Sequence, residues 1–246
     1  MYKAYLGVKM QVDLRRLRNI QRKIAKEVRL KEEFKIDEVK KIAGFDVAYF
    51  GDKAVCAAVV VDAKTLQILE KKTLVEKVPM NYIPGYVAFR EGPLIMQLYY
   101  DIESEPDIIM VDGHGIAHPL KCGLATYVGV ELSKPTIGVA KSLLVGQLEE
   151  DKIKLLNETV GRKVITRDHA NPLFVSPGHL ISIETAAKIA SSTVVQPHKM
   201  PEPLHYAHKL AKKTLEYINQ KKEVGQEQKK EELKQEIVET EAKIEA

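Results

Sequence analysis

The stretch PDIIMVDGHGIAHP at residues 106–119 decides the fold. Its apolar run has the length of a strand and no polar alternation, which predicts a strand buried on both faces of a sheet. The run ends at Asp112, and Gly113 follows at once. In open α/β sheets, ligands bind beyond the carboxyl ends of such strands. Asp112 is therefore either a catalytic acid or an acid that caps the turn after the strand, and this segment alone does not decide between the two.

Composition excludes several classes of protein. The chain has 246 residues, of which 45% are hydrophobic and 29% charged, so it can bury a sizeable core. Its formal net charge of +4 permits nucleic-acid binding without requiring it. The two cysteines form no close-spaced metal pair, and no apolar run has the length of a membrane span or the form of a signal peptide. We expect a cytoplasmic protein that does not bind membranes.

Strand and helix patterns surround the opening segment. Runs of strand length lie at residues 41–50, 54–62, 65–76 and 134–139, and helical spacing lies at 86–103 and 123–132. The first three strands are joined by short turns that suit hairpins, and the later strands follow crossovers that make parallel neighbours. Gly92-Pro93 should break or start a helix locally. The pattern predicts an α/β fold with a central mixed five-stranded sheet, three antiparallel strands and then parallel additions, flanked by helices.

The two ends of the chain are rich in charge. Residues 13–33 predict an amphipathic helix whose outer face is basic, and that face either is solvated or contacts phosphates. Residues 219–246 contain six lysines and eight glutamates and predict a single extended helix or a disordered tail. A hairpin is predicted over residues 151–169, and helices are predicted over 185–191 and 204–218. We expect one domain over residues 1–218 and a charged tail over residues 219–246.

Two acids interrupt otherwise apolar strands. Asp46 lies in the middle of the first strand, within GFDVA at residues 44–48, where an unpaired charge is costly to bury. Such an acid otherwise lies at a sheet edge or is hydrogen-bonded. If the first crossover strand adds beside the first strand, Asp46 and Asp112 become neighbours, and adjacent carboxylates repel unless a cation lies between them. Mg²⁺ accepts such ligands, and Glu91 offers a third carboxylate for a site that hydrolyses phosphodiesters.

Five segments of the chain, taken together, resemble the endonuclease V family. They are GFDVAY at residues 44–49, YIPGYVAFRE at 82–91, DGHGIAHP at 112–119, GVAKS at 138–142 and VSPGH at 175–179. They occur in the family's order, and the resemblance spans roughly residues 14–215. Five ordered motifs are far more specific than any one of them. The resemblance implies a ribonuclease H-like fold, with which the predicted strand order agrees.

The resemblance implies a metal-dependent DNA repair endonuclease. Members of this family recognise deoxyinosine, the product of adenine deamination, and hydrolyse the second phosphodiester bond 3′ to the lesion, leaving 3′-hydroxyl and 5′-phosphate ends. The implied metal ligands are Asp46, Glu91 and Asp112, and the implied cofactor is Mg²⁺, with Mn²⁺ as a substitute. His118 and Lys141 match catalytic residues close to that site. Without the resemblance they would be interpreted as a turn histidine and a solvated lysine.

The resemblance also implies a site for the damaged base. Tyr82-Ile83-Pro84 matches the loop that pries the strands apart, in which Tyr stacks on bases and Pro stiffens the chain. The family usually has a proline where this chain has Asn81, which softens the tip of the loop without removing the stacking. The extruded base would enter a pocket in which glycines let backbone groups reach its edge. The expected pocket residues are Gly85, Val87, Gly113, Leu124 and Leu144, with His208 near the active site.

Two other functions remain open at this stage. The chain is either a deoxyribonuclease or an endoribonuclease that acts on inosine-containing RNA, and a panel of DNA and RNA substrates of equal sequence would separate them. A non-catalytic nucleic-acid binding module would be expected to lack one of the three acids, and all three are present. We expect a monomer whose partner is DNA containing deoxyinosine or a related lesion.

Overall fold

The computed structural model describes residues 12–221, in which nine strands form one mixed sheet. The strands are β1 (Lys41–Phe50), β2 (Lys53–Asp62), β3 (Ile68–Lys77), β4 (Ile108–Asp112), β5 (Thr136–Ala140), β6 (Gln147–Glu149), β7 (Lys152–Leu155), β8 (Glu158–Val164) and β9 (Leu173–His179). The helices are α1 (Leu14–Glu27), α2 (Val87–Tyr100), α3 (Leu124–Leu132), α4 (Ile183–Ser192) and α5 (residues 202–221), with a 3₁₀ turn at Ile36–Glu38. None of these helices combines the length and apolarity that crossing a membrane requires.

Strand β4 lies in the interior of the sheet, and helices cover both of its faces. Its apolar residues, 108–111, are fully buried. Because side chains alternate along a strand, Val111 packs with residues of α2 and α3, whereas Met110 packs in a second core with residues of α4 and α5. This burial confirms the prediction made from the uninterrupted apolar run.

Strand β1 pairs antiparallel with β2 and parallel with β4. Phe45 lies opposite Val111, so the residues that follow them, Asp46 and Asp112, lie side by side on neighbouring strands. Strand β5 pairs parallel with β4 on its other side. The five predicted strands are therefore present in the order β3-β2-β1-β4-β5, and the predicted neighbourhood of the two acids is confirmed.

The predicted strand count of five is wrong, because the sheet continues beyond β5 as β9-β8-β7-β6. The hairpin predicted over residues 151–169 is present as β7 and β8. Strand β9 was missed because Pro177 and Gly178 lie within it, and both residues normally argue against a strand interior. A register shift opposite β9, between Thr136 and Ile137, accommodates them as a bulge.

Helix α2 runs through Pro93 without a break, so the predicted interruption at Gly92-Pro93 is wrong. A Cβ on Gly92 would lie 2.6 Å from the ring of Tyr127, which shows how closely α2 packs against α3. This packing outweighs the backbone hydrogen bond that proline cannot donate. The helix predicted over 204–218 is present within α5, whereas the predicted tail lies outside the described residues from position 222 onward.

Gly44 brings helix α5 into contact with the backbone of β1. A Cβ at this position would lie 2.2 Å from the carbonyl carbon of Pro203 and 2.6 Å from the nitrogen of Leu204. Only a glycine therefore permits this approach, and the approach lets a side chain from α5 reach Asp46.

Gly44→Ala is expected to reduce the free energy of unfolding by at least about 2 kcal/mol, because the new Cβ meets backbone that cannot rotate away. Gly51→Ala is the control. No atom lies within 4 Å of its Cβ position, but its φ of +57° is left-handed, so only a torsional cost of about 1 kcal/mol is expected. Urea unfolding of both variants measures the difference, and equal losses would contradict the packing argument.

Candidate active site

Three carboxylates from three elements define the candidate active site. Asp46 lies on β1, Asp112 ends β4, and Glu91 lies in the second turn of α2. Burial, together with the charges of Asp46 and Asp112, raises the pKa of Glu91 to about 7 in spite of the hydrogen bond from Tyr49, which lowers it. Burial also raises the pKa of Asp112, and the negative charge of Asp46 contributes to this rise. The three acids therefore interact electrostatically as one group.

Each acid is held by a donor from another part of the chain. Lys141 Nζ donates to Asp112 Oδ2 over 2.7 Å. His208 Nδ1 lies 2.7 Å from Asp46 Oδ2, and it carries the proton because a carboxylate only accepts. The hydroxyl of Tyr49 donates to Glu91 Oε1 over 2.7 Å. Each pairing offsets part of the cost of bringing like charges together.

Lys141 follows the end of β5, so the strand places its side chain beside Asp112. Burial disfavours its ammonium form, but the hydrogen bond and the charge of Asp112 outweigh burial, and the pKa of Lys141 is raised. Lys141 therefore stays charged at neutral pH and presents a cation at the acid cluster.

The donor set fits a hard divalent cation by its chemistry. Carboxylate oxygens are the ligands that Mg²⁺ and Mn²⁺ prefer. The charge of Asp46 raises the pKa of Asp112, and both aspartates raise the pKa of Glu91, which is a charge pattern that such an ion offsets. No three His, Cys, Asp or Glu side chains in residues 12–221 are arranged as a closed metal-binding group. The acids instead hydrogen bond Lys141, His208 and Tyr49.

A cavity of about 250 Å³ lies against the acid cluster. Glu91 and Asp112 form part of its wall, and backbone and apolar side chains form much of the rest. The cavity is somewhat smaller than the roughly 300–1,000 Å³ of pockets for drug-sized ligands, so it suits a single heterocycle. Six of the residues predicted for base recognition line it: Tyr82, Gly85, Val87, Gly113, Leu124 and Leu144. Ile83 and Pro84 lie in the same loop but not in this wall, and His208 lies instead against Asp46.

The loop that carries Tyr82 is built on a tight turn. Tyr86 N–H donates to the carbonyl of Ile83 over 3.0 Å, with Pro84 and Gly85 at the central positions. Gly85 has a φ of +81°, which is the conformation of the third residue of a type II turn and explains the Pro-Gly pair. Tyr82, just before the turn, is 65% exposed.

The structure places His118 in the cavity wall, with both ring nitrogens on backbone atoms. Leu120 N–H donates to Nδ1 over 3.2 Å, so Nε2 carries the proton and donates to the carbonyl of Gly85 over 2.9 Å. Burial lowers the pKa of His118, which favours this neutral form. His118 therefore contacts the loop rather than a carboxylate, and its catalytic assignment stays a prediction.

Tyr49 and Gln21 hydrogen bond residues of the site and were not found from the sequence. Tyr49 lies on β1 on the opposite face from Asp46, and Arg90 stacks over its ring with the guanidinium carbon 4.0 Å from the centroid. Gln21 of α1 reaches the carbonyl of Gly85 with its side-chain amide. The sequence around each residue does not indicate its role, because its hydrogen-bond partner lies far away along the chain.

Known proteins share the sequence pattern and the fold of this chain. The endonuclease V family model matches residues 22–209. The chain belongs to the endonuclease V family. Endonuclease V of Dictyoglomus thermophilum is 37% identical over 206 residues, covering 80% of this chain and 89% of that protein. The chain is thus an enzyme of a nuclease family.

Two solved endonuclease V structures resemble the whole described fold. That from Streptomyces avermitilis has 30% identity and a TM-score of 0.79, covering 87% of this chain and 97% of the other. That from Ciona intestinalis has 28% identity and a TM-score of 0.75, covering 83% of this chain and 98% of the other. The Ciona protein was crystallised with a 24-mer DNA containing an inosine followed by a ribo-adenosine.

In the absence of divalent cations, the contribution of Glu91 to the free energy of unfolding should fall as the pH rises from about 4.5 to about 7. The folded state holds the Glu91 proton up to a pKa of about 7, whereas the ordinary value is 4.5. The folded state therefore binds more protons than the unfolded state across this window, so the free energy of unfolding decreases with pH.

Glu91→Gln isolates this effect, because the other acids titrate in both proteins. Urea unfolding in EDTA between pH 5 and 8 should show the variant gaining stability relative to the unmodified chain as the pH rises. Parallel stability curves for the two proteins would show that Glu91 titrates normally.

Proposed function

We propose that this endonuclease V family member is a metal-dependent DNA repair endonuclease that recognises deoxyinosine. It would hydrolyse the second phosphodiester bond 3′ to the lesion and leave 3′-hydroxyl and 5′-phosphate ends. One observation carries the proposal: Glu91 and Asp112 line the same cavity as the Tyr82 loop. If a base of the nucleic acid occupied that cavity, the backbone of the strand that carries the base would lie close to the two acids. The inosine-containing DNA bound by the Ciona relative supports this substrate.

Asp46, Glu91 and Asp112 would hold Mg²⁺, or Mn²⁺ in its place. A bound ion of this kind activates water and offsets the charge of a leaving oxygen in phosphodiester hydrolysis. Within the chain, His208 orients Asp46, and Tyr49 binds one oxygen of Glu91.

Lys141 is proposed to bind a phosphate oxygen of the strand that is cut. Its ammonium group is half-exposed beside Asp112 and stays protonated, so it can exchange that contact for a phosphate. Compensating phosphate charge close to the reacting bond is a standard contribution to phosphoryl transfer.

The cavity is proposed to receive the extruded hypoxanthine base. Val87, Leu124 and Leu144 offer apolar walls, whereas Gly85 and Gly113 bring backbone groups close enough to read the base edge. Tyr82 would stack on the bases next to the position that the extruded base leaves, with Ile83 and Pro84 following it in the loop. An inosine pair also opens at lower cost than a normal pair, which adds selectivity.

We also propose the broader organisation implied by the resemblance. The sheet order of three antiparallel strands followed by parallel β4 and β5 supports a ribonuclease H-like core. Residues 1–218 would form one domain that works as a monomer in the cytoplasm, with residues 219–246 as a charged tail.

RNA containing inosine is the second candidate substrate. The nucleic acid in the Ciona complex has a ribo-adenosine directly after its inosine, and that observation supports RNA for this chain. Membership of a nuclease family rules out the third possibility, a non-catalytic nucleic-acid binding module.

Asp112→Asn is expected to lower nicking of a deoxyinosine duplex in Mg²⁺ by at least about 10³-fold, or ~4 kcal/mol of transition-state stabilisation, while lesion binding persists. The unmodified protein in EDTA and an inosine-free duplex are the controls. Single-turnover nicking measures the first effect, and fluorescence anisotropy measures the second. Full nicking by the variant would reject the carboxylate assignment.

A substrate panel tests the choice between DNA and RNA. Deoxyinosine DNA and inosine RNA of equal sequence are each incubated with the unmodified protein in Mg²⁺, and cleavage of the DNA is expected. Labelled products should map to the second bond 3′ to the lesion, with a 5′-phosphate that a ligase accepts. Cleavage of the RNA alone would reject the deoxyribonuclease proposal in favour of the second candidate.

A further inference from the structure

Gln21 is a buried polar residue on α1, a helix whose arginines and lysines are all exposed. Its side chain is 1% exposed on the inner face of α1, beside the buried Ile24. Its amide Nε2 donates to the carbonyl of Gly85 over 2.8 Å and to that of Cys122 over 3.3 Å. A buried amide is costly unless it is hydrogen-bonded, so its position is determined by these two carbonyls.

The two carbonyls belong to different walls of the cavity. Gly85 lies in the Tyr82 loop, and Cys122 lies just before α3, whose first residue, Leu124, also lines the cavity. One side chain therefore connects the loop to the segment that precedes α3. Because both segments line the cavity, their separation affects the space available to a planar ring.

The carbonyl of Gly85 accepts a second side-chain hydrogen bond, from His118 Nε2 over 2.9 Å. A carbonyl oxygen has two lone pairs, and Gln21 and His118 use both. These two hydrogen bonds hold the carbonyl group of Gly85 in place, within a turn in which Gly85 has a φ of +81°. Helix α2 begins directly beyond, at Val87, and the side chain of its N-cap residue, Tyr86, accepts no capping hydrogen bond. The clamped turn therefore sets where α2 begins.

We propose that Gln21 is a positioning residue that, together with His118, holds the Tyr82 loop against the base cavity and so sets discrimination between hypoxanthine and normal bases. The inference rests on the proposed function, because it assumes that the cavity receives the base. Without the clamp the loop moves away from α3, and the cavity no longer selects one ring by its fit.

Gln21→Met tests the clamp, because Met has a similar length and volume but no donor. Ile24→Val is the matched control, since it loosens the same buried face of α1 without removing a hydrogen bond. Hydrogen exchange of the peptide that covers residues 82–86, in the full chain without nucleic acid, should be faster in Gln21→Met and unchanged in Ile24→Val. Equal exchange in all three proteins would overturn the proposal whatever the substrate is.

Binding in EDTA tests the consequence for specificity. The ratio of the dissociation constants for an adenine duplex and a deoxyinosine duplex should fall about tenfold in Gln21→Met, the equivalent of roughly one net hydrogen bond, with the adenine duplex bound as before. Ile24→Val should keep the ratio, and an equal fall in both variants would reduce Gln21 to a structural role. An unmodified protein without preference for deoxyinosine would instead reject the proposed function, while the exchange result still decides the clamp.

Discussion

The parallel pairing of β1 with β4 imposes the constraint on which the site depends, because it forces Asp46 and Asp112 to lie side by side. Two partly buried carboxylates on adjacent strands repel each other and need compensation to remain charged together. The surrounding chain supplies that compensation locally, with His208 on one acid and Lys141 on the other. The strands around β4 are held by cores on both faces of the sheet, so the fold keeps the acids together in spite of their repulsion.

Close backbone approach is the second constraint. Gly44 lets α5 contact β1, which places His208 over Asp46. Gly115 permits a second close contact, between the segment after β4 and strand β9, because a Cβ at this position would lie 2.0 Å from the carbonyl oxygen of Pro177. The backbone of the segment after β4 therefore packs directly against β9. The irregular features of β9, its proline and its bulge, lie where the sheet turns from the parallel centre to the antiparallel extension.

The sequence predicted the centre of the molecule and missed features that depend on distant contacts. An uninterrupted apolar run and a mid-strand acid were sufficient to predict β4, its neighbour β1 and the pair of Asp46 and Asp112. Strand β9 was missed because proline and glycine signal a turn unless a bulge absorbs them. Tyr49 and Gln21 could not be found, since their roles depend on where α2 and the Tyr82 loop lie in space. Local patterns carry no such information.

The loop that carries Tyr82 and the helix that carries Glu91 are joined at a single turn. The Pro84-Gly85 turn ends where α2 begins, and Glu91 lies one turn further along that helix. A change in the turn would therefore move both the exposed Tyr82 and the third carboxylate. Because Gln21 and His118 both hydrogen bond the carbonyl of Gly85, the cavity and the acid cluster depend on the same contacts. If the cavity receives a base and Glu91 takes part in the chemistry, as proposed, this arrangement couples the fit of the base to the position of that acid without any separate moving domain.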